Sequence, residues 1–347
     1  MDEQAVQRFW QDHACGDAQM GGLRERFHDD YEQFFADYDA FRYRTERHLP
    51  ACIAGLNVAG KRVLEIGLGE GSDSELLIRE GARWSGVDLT TESVDRVQAR
   101  LTLRGLPFEQ LRQGSVLDLP FADNSFDLVF SHGVLHHVPD ILRAESEISR
   151  VLRPDGELVI MMYARWSLNY LVSIAVLRRA ALLAAVPLVR IGVLSSSAPQ
   201  GILAGHLDNV RATGLFRYLR LREFVHHNTD GPGNPYALVY DRRRVGRDFP
   251  SFRVTRTYKR FMHAPPLPVH RLPGQSLLGW HLWVHLRPTT GATAATGAPA
   301  ASGAETAGAS PAETPAASPA EAPAASPAGA PAASAETPAV APSRHPA

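Results

Sequence analysis

The sequence predicts an α/β fold with a largely parallel sheet. Three observations carry this: a glycine-spaced turn after an apolar strand, an acidic residue closing the next strand, and further strand and helix segments in alternation. Residues 63–88, VLEIGLGEGSDSELLIREGARWSGVD, hold the first two. Val63, Leu64 and Ile66 are a short β-prone run, and Gly67, Gly69 and Gly71 follow at every second position. Glycine lacks a Cβ, so this turn can fold tightly and admit a ligand close to the backbone. Ser72–Glu80 then starts a helix, with Ser72 or Asp73 as the expected N-cap. Trp84–Val87 reads as the next strand, and Asp88 falls at its carboxyl end, where a carboxylate can accept both hydroxyls of a ribose.

Elements on either side follow in order. Residues 1–50 read as helical and carry an aromatic series, Phe9, Trp10, Phe27, Tyr31, Phe34, Phe35, Tyr38, Phe41 and Tyr43; most of these are expected to pack on the core. Asn124–Phe130, NSFDLVF, is a turn leading into a third apolar strand. Ser131–Asp140, SHGVLHHVPD, follows, then a helix with apolar positions Ile141, Leu142, Ile148 and Val151. The turn Arg153-Pro154-Asp155-Gly156 precedes a strand over Glu157–Tyr163. Residues 168–194 are long and apolar enough to suggest a membrane span. Arg178, Arg179 and Arg190 interrupt them and Pro187 kinks them, so a buried cap is favoured over an interfacial helix whose arginines reach lipid phosphates. Val225–Tyr236, VHHNTDGPGNPY, is a loop, and Tyr240–Phe249 returns the chain to the core as a helix. Phe252–Phe261 and Leu278–Leu286 alternate like strands.

The glycine turn decides between two nucleosides. A dinucleotide fold uses G-x-G-x-x-G and presents a helix N-terminus to a pyrophosphate. Here Ser72 stands where the third glycine would be, and Glu65, Glu70 and Asp73 crowd the turn. Carboxylates repel a pyrophosphate and suit a cation, such as the sulfonium and ammonium of S-adenosylmethionine. The turn resembles motif I of the S-adenosylmethionine-dependent methyltransferases, E/D-x-G-x-G-x-G. The order LPF-x-D-x-SFDLV, GVLHH, EISRVLRPDG resembles the branch that includes quinone, sterol and sugar methyltransferases, over about Lys61–Tyr163.

That resemblance implies a Rossmann-like, seven-stranded methyltransferase sheet in which the last two strands are antiparallel, with S-adenosylmethionine as cofactor. It implies that Glu65 and Gly67 lie beside the methionine part of the cofactor, that Gly69 and Gly71 form the turn beneath it, and that Asp88 binds the ribose. Many relatives have an Asp at the adenine edge where this chain has Ser115, which leaves backbone groups of Ser115 and Val116 to hold the base. Tyr43 and Arg44 are candidates for contact with cofactor or acceptor, and His226, His227 and Asp230 for contact with the acceptor. His132, His136 and His137 follow a strand's carboxyl end, where open α/β sheets place ligands. Imidazole suits proton removal from a hydroxyl acceptor, and a base role is expected of His136 or His137. Adjacent histidine pairs are poor chelators, so no metal site is expected.

The implied domains are a helical lid over 1–50, the cofactor-binding core over 51–164, an inserted cap and acceptor region over 165–240, a return to the core over 241–288, and a tail over 289–347. The tail is nearly all Ala, Pro, Ser, Thr, Gly and Glu, with Ser310, Ser318, Ser326 and Ser334 eight residues apart, and is expected to be disordered. Cys15 and Cys52 offer no disulfide framework and MDEQAVQRFW is no signal peptide, which together predict a cytoplasmic protein. Net charge is −1, yet residues 165–260 hold sixteen Arg or Lys against five acids. Such a basic region predicts an anionic small-molecule acceptor or peripheral membrane contact through 168–194, rather than nucleic acid. The expected reaction is methyl transfer to oxygen of an anionic, sugar-like or lipid-linked metabolite. Methylation at a quinone carbon, a non-catalytic cofactor-binding scaffold and an NAD(P)-linked oxidoreductase are the alternatives. The oligomeric state is not predicted.

Overall fold

The computed structural model describes residues 2–13, 30–191 and 201–289. Cys15, Phe27 and the tail beyond Thr289 lie outside the described residues, and so does the end of the 168–194 segment. Seven strands form one sheet in the order β3-β2-β1-β4-β5-β7-β6. Strands β1 (Arg62–Ile66), β2 (Arg83–Asp88), β3 (Gln110–Gln113), β4 (Phe126–His132) and β5 (Leu152–Tyr163) run parallel. Strand β7 (His281–Pro288) inserts antiparallel between β5 and β6 (Phe252–Arg260), so the expected seven-stranded methyltransferase sheet is present. The central parallel strands β1, β4 and β5 are largely buried on both faces and read as mainly apolar runs. Leu64, Val129, Ile160 and Val284 belong to one face's core, and Val63, Trp84, Phe130 and Trp283 to the other's.

Two local expectations are corrected. The helix after the glycine turn, Ser72–Arg79, has Gly71 as its N-cap, and neither Ser72 nor Asp73 caps it. Positive φ at Gly67, Gly69 and Gly71 (79°, 53° and 78°) carries the chain in a left-handed path up to residue 71, so helical geometry starts only afterwards. Residues 153–156, expected as a turn before a strand, are an excursion within β5: Phe126 pairs with Leu152, but Leu128 pairs with Glu157. Strand β3 (QLRQ) is too polar and short to show in the sequence pattern.

Helices α1 (Glu3–Asp12), α2 (Tyr31–Thr45) and α3 (Leu49–Ala54) precede the sheet. Asp2 and Asp30 cap the first two by accepting from Gln4 N and Gln33 N. The aromatics behave as core: Phe34, Phe35 and Tyr38 are buried. After β5 comes a π-helical stretch, Asn169–Arg178, that continues as a helix over Arg179–Arg190. One face, with Ile174, Leu182 and Val186, joins a separate apolar cluster with Leu207, Tyr218 and Trp280. The other face leaves Leu171, Val176, Leu183 and Leu188 exposed. The expected buried cap therefore holds for one face only. Asn169–Val189 is long and apolar enough to cross a membrane, with mean hydropathy 1.9 and 22% of it buried.

Candidate active site

The carboxyl ends of β1, β2 and β4 open into one cleft, with an empty volume of about 1090 Å³ that includes its mouth. Gly67 and Gly69 form its floor, Asp88 and Gly114 one wall, and His132 and Val134 the other. Close approach explains the first glycine: a Cβ at Gly67 would stand 2.1 Å from Val134 Cγ2. Asp88 ties the turn together. Its Oδ2 accepts from Leu68 N at 2.7 Å, and its Oδ1 from Thr90 N and Thr90 Oγ1 at 2.9 and 2.8 Å. Burial pushes the Asp88 carboxyl up, against these donors.

The roof comes from the N-terminal helices. Glu3, Val6 and Trp10 of α1 and Tyr38 and Arg42 of α2 line the cleft. Gln7 Nε2 donates to Leu89 O at 3.0 Å, which pins α1 to the loop after β2. Ser115 Oγ donates to Glu3 Oε1 at 2.5 Å and accepts from Leu117 N at 2.9 Å, so this hydroxyl is committed to the lid. Gly114 and Val116 on either side of it line the cleft. Tyr43 lies outside the lining, where its hydroxyl donates to Ser72 O at 3.2 Å. Arg44 is exposed. Arg42 is the α2 cation that reaches the cleft, and the i, i+4 spacing from Tyr38 was the available signal.

Glu65 departs from its expected place. Successive strand residues point to opposite faces, so Ile66 lines the cleft while Glu65 enters the core beside Trp84, whose Nε1 donates to it at 2.8 Å. Burial, reinforced by the Asp73 charge, pushes its carboxyl up to about 8. Asp73 is the carboxylate of the Ser72–Arg79 helix that lines the cleft. It bonds Arg42 Nη2 at 2.8 Å and His132 Nδ1 at 2.7 Å. Burial opposes its ionisation, but Arg42 and His132 overcome this and hold it well below the usual range.

The three candidate histidines separate. His132 and His137 line the cleft, and His136 does not. His136 is fully buried with both ring nitrogens unpartnered, its ring 3.9 Å from that of Tyr163. Burial, with His137 and His132 nearby, depresses its basicity strongly. His137 Nδ1 donates to Tyr236 O at 2.7 Å, and its Nε2 lies 3.4 Å from Asp230 Oδ2. Tyr163 Oη donates to the other Asp230 oxygen at 2.7 Å. Asp230 thus stands behind His137. His226 and His227 turn to local carbonyls, Ala237 O at 2.7 Å and Pro232 O at 3.0 Å, and neither lines the cleft.

Residues 64–160 match the family model described as a methyltransferase domain. Over 105 residues the chain is 38% identical to the fatty-acid O-methyltransferase of Mycolicibacterium smegmatis, covering 30% of this chain and 37% of that one. It is 35% identical over 125 residues to phthiotriol/phenolphthiotriol dimycocerosates methyltransferase 1 of Mycobacterium ulcerans, covering 35% and 42%. A third relative, the phosphatidylethanolamine N-methyltransferase of Cereibacter sphaeroides, is 37% identical over 109 residues, covering 31% and 53%. Residues 64–160 are therefore similar to the methyltransferase domain shared by these relatives. In each case the match spans well under two thirds of the relative's length.

The cleft fits the cofactor of this family better than a dinucleotide. At the N-terminus of the Ser72–Arg79 helix, where a pyrophosphate would sit, Ser72 Oγ donates to Asp39 Oδ1 at 2.6 Å and the buried Asp73 carboxylate faces the cleft. Two carboxylates there oppose a polyanion and favour a sulfonium and an ammonium. Asp88 stands at the end of β2 in position for a diol.

Proposed function

We propose that this protein transfers the methyl group of S-adenosylmethionine to an oxygen of a lipid-like acceptor, with His137 as the base. S-adenosylmethionine, when bound, supplies a methyl group made electrophilic by its positive sulfur. Gly67, Gly69 and Gly71 would hold it from below, Asp88 by its ribose and the backbone beside Val116 by its base. Asp73 would face its charged amino acid part. The remaining work falls on alignment, exclusion of water and proton removal.

His137 carries the reading. Its Nδ1–H is spent on the Tyr236 carbonyl, so in the neutral ring the Nε2 lone pair is the one free to take a proton. Asp230 at 3.4 Å then stabilises the imidazolium that forms on taking a proton. Trp10 closes on the ring edge-on at 5.1 Å and shields it from water. A hydroxyl acceptor loses its proton to this base, whereas a carboxylate is already ionised and a scaffold role gives the ring nothing to do.

A lipid-like acceptor is supported by the relatives, whose names specify a fatty acid, a dimycocerosate and a phosphatidylethanolamine. The segment 165–240 would form the acceptor side, because it supplies Asp230 and Tyr236 to His137 and exposes apolar side chains at Leu171, Val176 and Leu183.

Two assays test this. Calorimetric titration with S-adenosylhomocysteine, and separately with NADH, should give binding of the first alone. Incubation with methyl-labelled cofactor and a panel of long-chain fatty acids, hydroxylated lipids and quinones should label an acid or alcohol. Label only in quinones would move the reaction to carbon.

A further inference from the structure

Beside the cleft, joined to it through His132, is a second polar cluster that the proposed reaction leaves unused. Glu46 follows α2, His132 ends β4 and His281 begins β7. These positions are far apart in sequence, yet one donor atom from each lies within 4.8 Å of the others. Two polar atoms of these side chains, Glu46 Oε2 and His132 Nε2, are buried without a hydrogen-bond partner. Buried polar atoms are costly when unpaired, so the cluster calls for an occupant.

We propose that Glu46, His132 and His281 bind a divalent transition-metal ion such as zinc, placed to hold an anionic oxygen of the acceptor. Two imidazoles and one carboxylate are a zinc donor set that leaves a coordination position open. The surroundings match a metal's outer shell. Asp73 Oδ2 and Arg42 Nη2 lie 2.7 and 2.9 Å from His132 Nδ1 and hold the ring in place, while its Nε2 is left without a hydrogen-bond partner. His281 Nδ1 lies 3.3 Å from His48 Nε2, one of the pair donating to the other, and this orients the His281 ring.

Two features weigh against the site and neither removes it. Zinc ligands about 2.1 Å from the metal stand roughly 3.4 Å apart in a tetrahedron, so donors within 4.8 Å of one another must close by up to about 1.4 Å. Arg42 Nη2 lies 2.9 Å from His132 Nδ1 and 2.8 Å from Asp73 Oδ2, and that carboxylate offsets its charge. The charge left for the metal is that of Glu46, and a bound dication would leave a net positive centre. Such a centre draws a carboxylate or an ionising hydroxyl and lowers the hydroxyl's pKa. His132 also lines the cleft, so the ion would lie at its wall. Only this acceptor role rests on the methyltransferase reading; metal binding itself does not.

The test uses the untagged full chain, stripped with a chelator and titrated with Co²⁺. Visible d–d absorption should saturate at one equivalent and be displaced by Zn²⁺. His281→Ala and Glu46→Gln should each weaken binding at least about tenfold, and Asp73→Asn by about 10–100-fold, the usual effect of losing an outer-shell partner. A His226→Ala, His227→Ala variant should keep the wild-type spectrum. Circular dichroism identifies any variant that fails to fold, and Glu46→Gln, at a helix end, decides the matter if His281→Ala does. No cobalt bound by the folded wild type overturns the proposal, as does equal binding by wild type and Glu46→Gln. Calorimetry with S-adenosylhomocysteine on stripped protein separates the two readings: binding there, with no cobalt site, leaves the methyltransferase reading standing and the metal site refuted. If metal binds, the stripped enzyme should methylate its acceptor at least tenfold more slowly than the cobalt-loaded one; equal rates overturn the acceptor role.

Discussion

The two ends of the cleft are built differently. At the cofactor end, one continuous stretch from Val63 to Asp88 supplies the strand, the glycine turn, the helix and the acid, and Asp88 binds the turn back on itself through Leu68. At the acceptor end, the functional groups come from α1, α2, the ends of β4 and β7, and the loop around Asp230 and Tyr236. A local design can be read from one segment and tolerates little change in its backbone. An assembled one depends on long-range packing, and its side chains can be exchanged without unmaking the fold. This difference predicts binding losses from backbone changes at the first end, and rate losses at unchanged cofactor affinity from side-chain changes at the second.

The largest effect is expected at Gly67. A Cβ would meet Val134 Cγ2 at 2.1 Å, and the residue's φ of 79° strains any L side chain. Gly67→Ala should cost about 3 kcal/mol in S-adenosylhomocysteine binding, roughly a hundredfold in Kd, by calorimetry. At the other end, His137→Ala should lower kcat by about 10²–10⁴, the range for a lost general base, with cofactor affinity unchanged within about twofold. His136→Ala should leave kcat far closer to the wild-type value, because that ring never reaches the cleft. Equal rate losses from the two would dissolve the distinction between them.

What the sequence made legible follows the same division. Four of the five parallel strands, the antiparallel last pair and the glycine turn were readable, because each is tied to a short local pattern or to the family that pattern resembles; the polar β3 was not. Glu65 was misplaced because the motif names a position and not a face, whereas strand alternation turns its side chain into the core. Arg42 was missed in favour of Tyr43 and Arg44, since the low amphipathicity of α2 does not reveal which side meets the sheet. His137 and Asp230, 93 positions apart, could not be paired by any spacing rule. Neither could Glu46, His132 and His281.

A third, smaller effect tests the cofactor end from its side chains. Asp88→Asn keeps the shape of the residue but removes the charge that two backbone N–H groups and a diol share. It should weaken S-adenosylhomocysteine binding by about 1–3 kcal/mol, the scale of hydrogen bonds to a charged group. Adenine alone, which lacks the ribose, should bind wild type and variant alike. A loss that is equal for adenine would mean that the carboxylate serves only the turn.

The smallest effect on binding belongs to Glu65, which sits in the cofactor motif yet faces the core. Its ordinary value of 4.5 is raised to about 8, chiefly by burial. Below about pH 4.5 the proton is bound in folded and unfolded chains alike. Between 4.5 and 8 the unfolded chain releases it while the folded chain keeps it, so the folded state loses stability as pH rises, and the loss levels off above 8. Glutamine mimics the protonated acid and can still accept from Trp84 Nε1. Glu65→Gln should therefore match the wild type in urea denaturation near pH 5 and exceed it by about 1 kcal/mol or more at pH 9, since a tenfold change in proton affinity is worth about 1.4 kcal/mol. Its cofactor affinity should not move. A variant that bound S-adenosylhomocysteine tenfold more weakly at both pH values would return Glu65 to the cleft and show that the motif's acid is read by the cofactor after all.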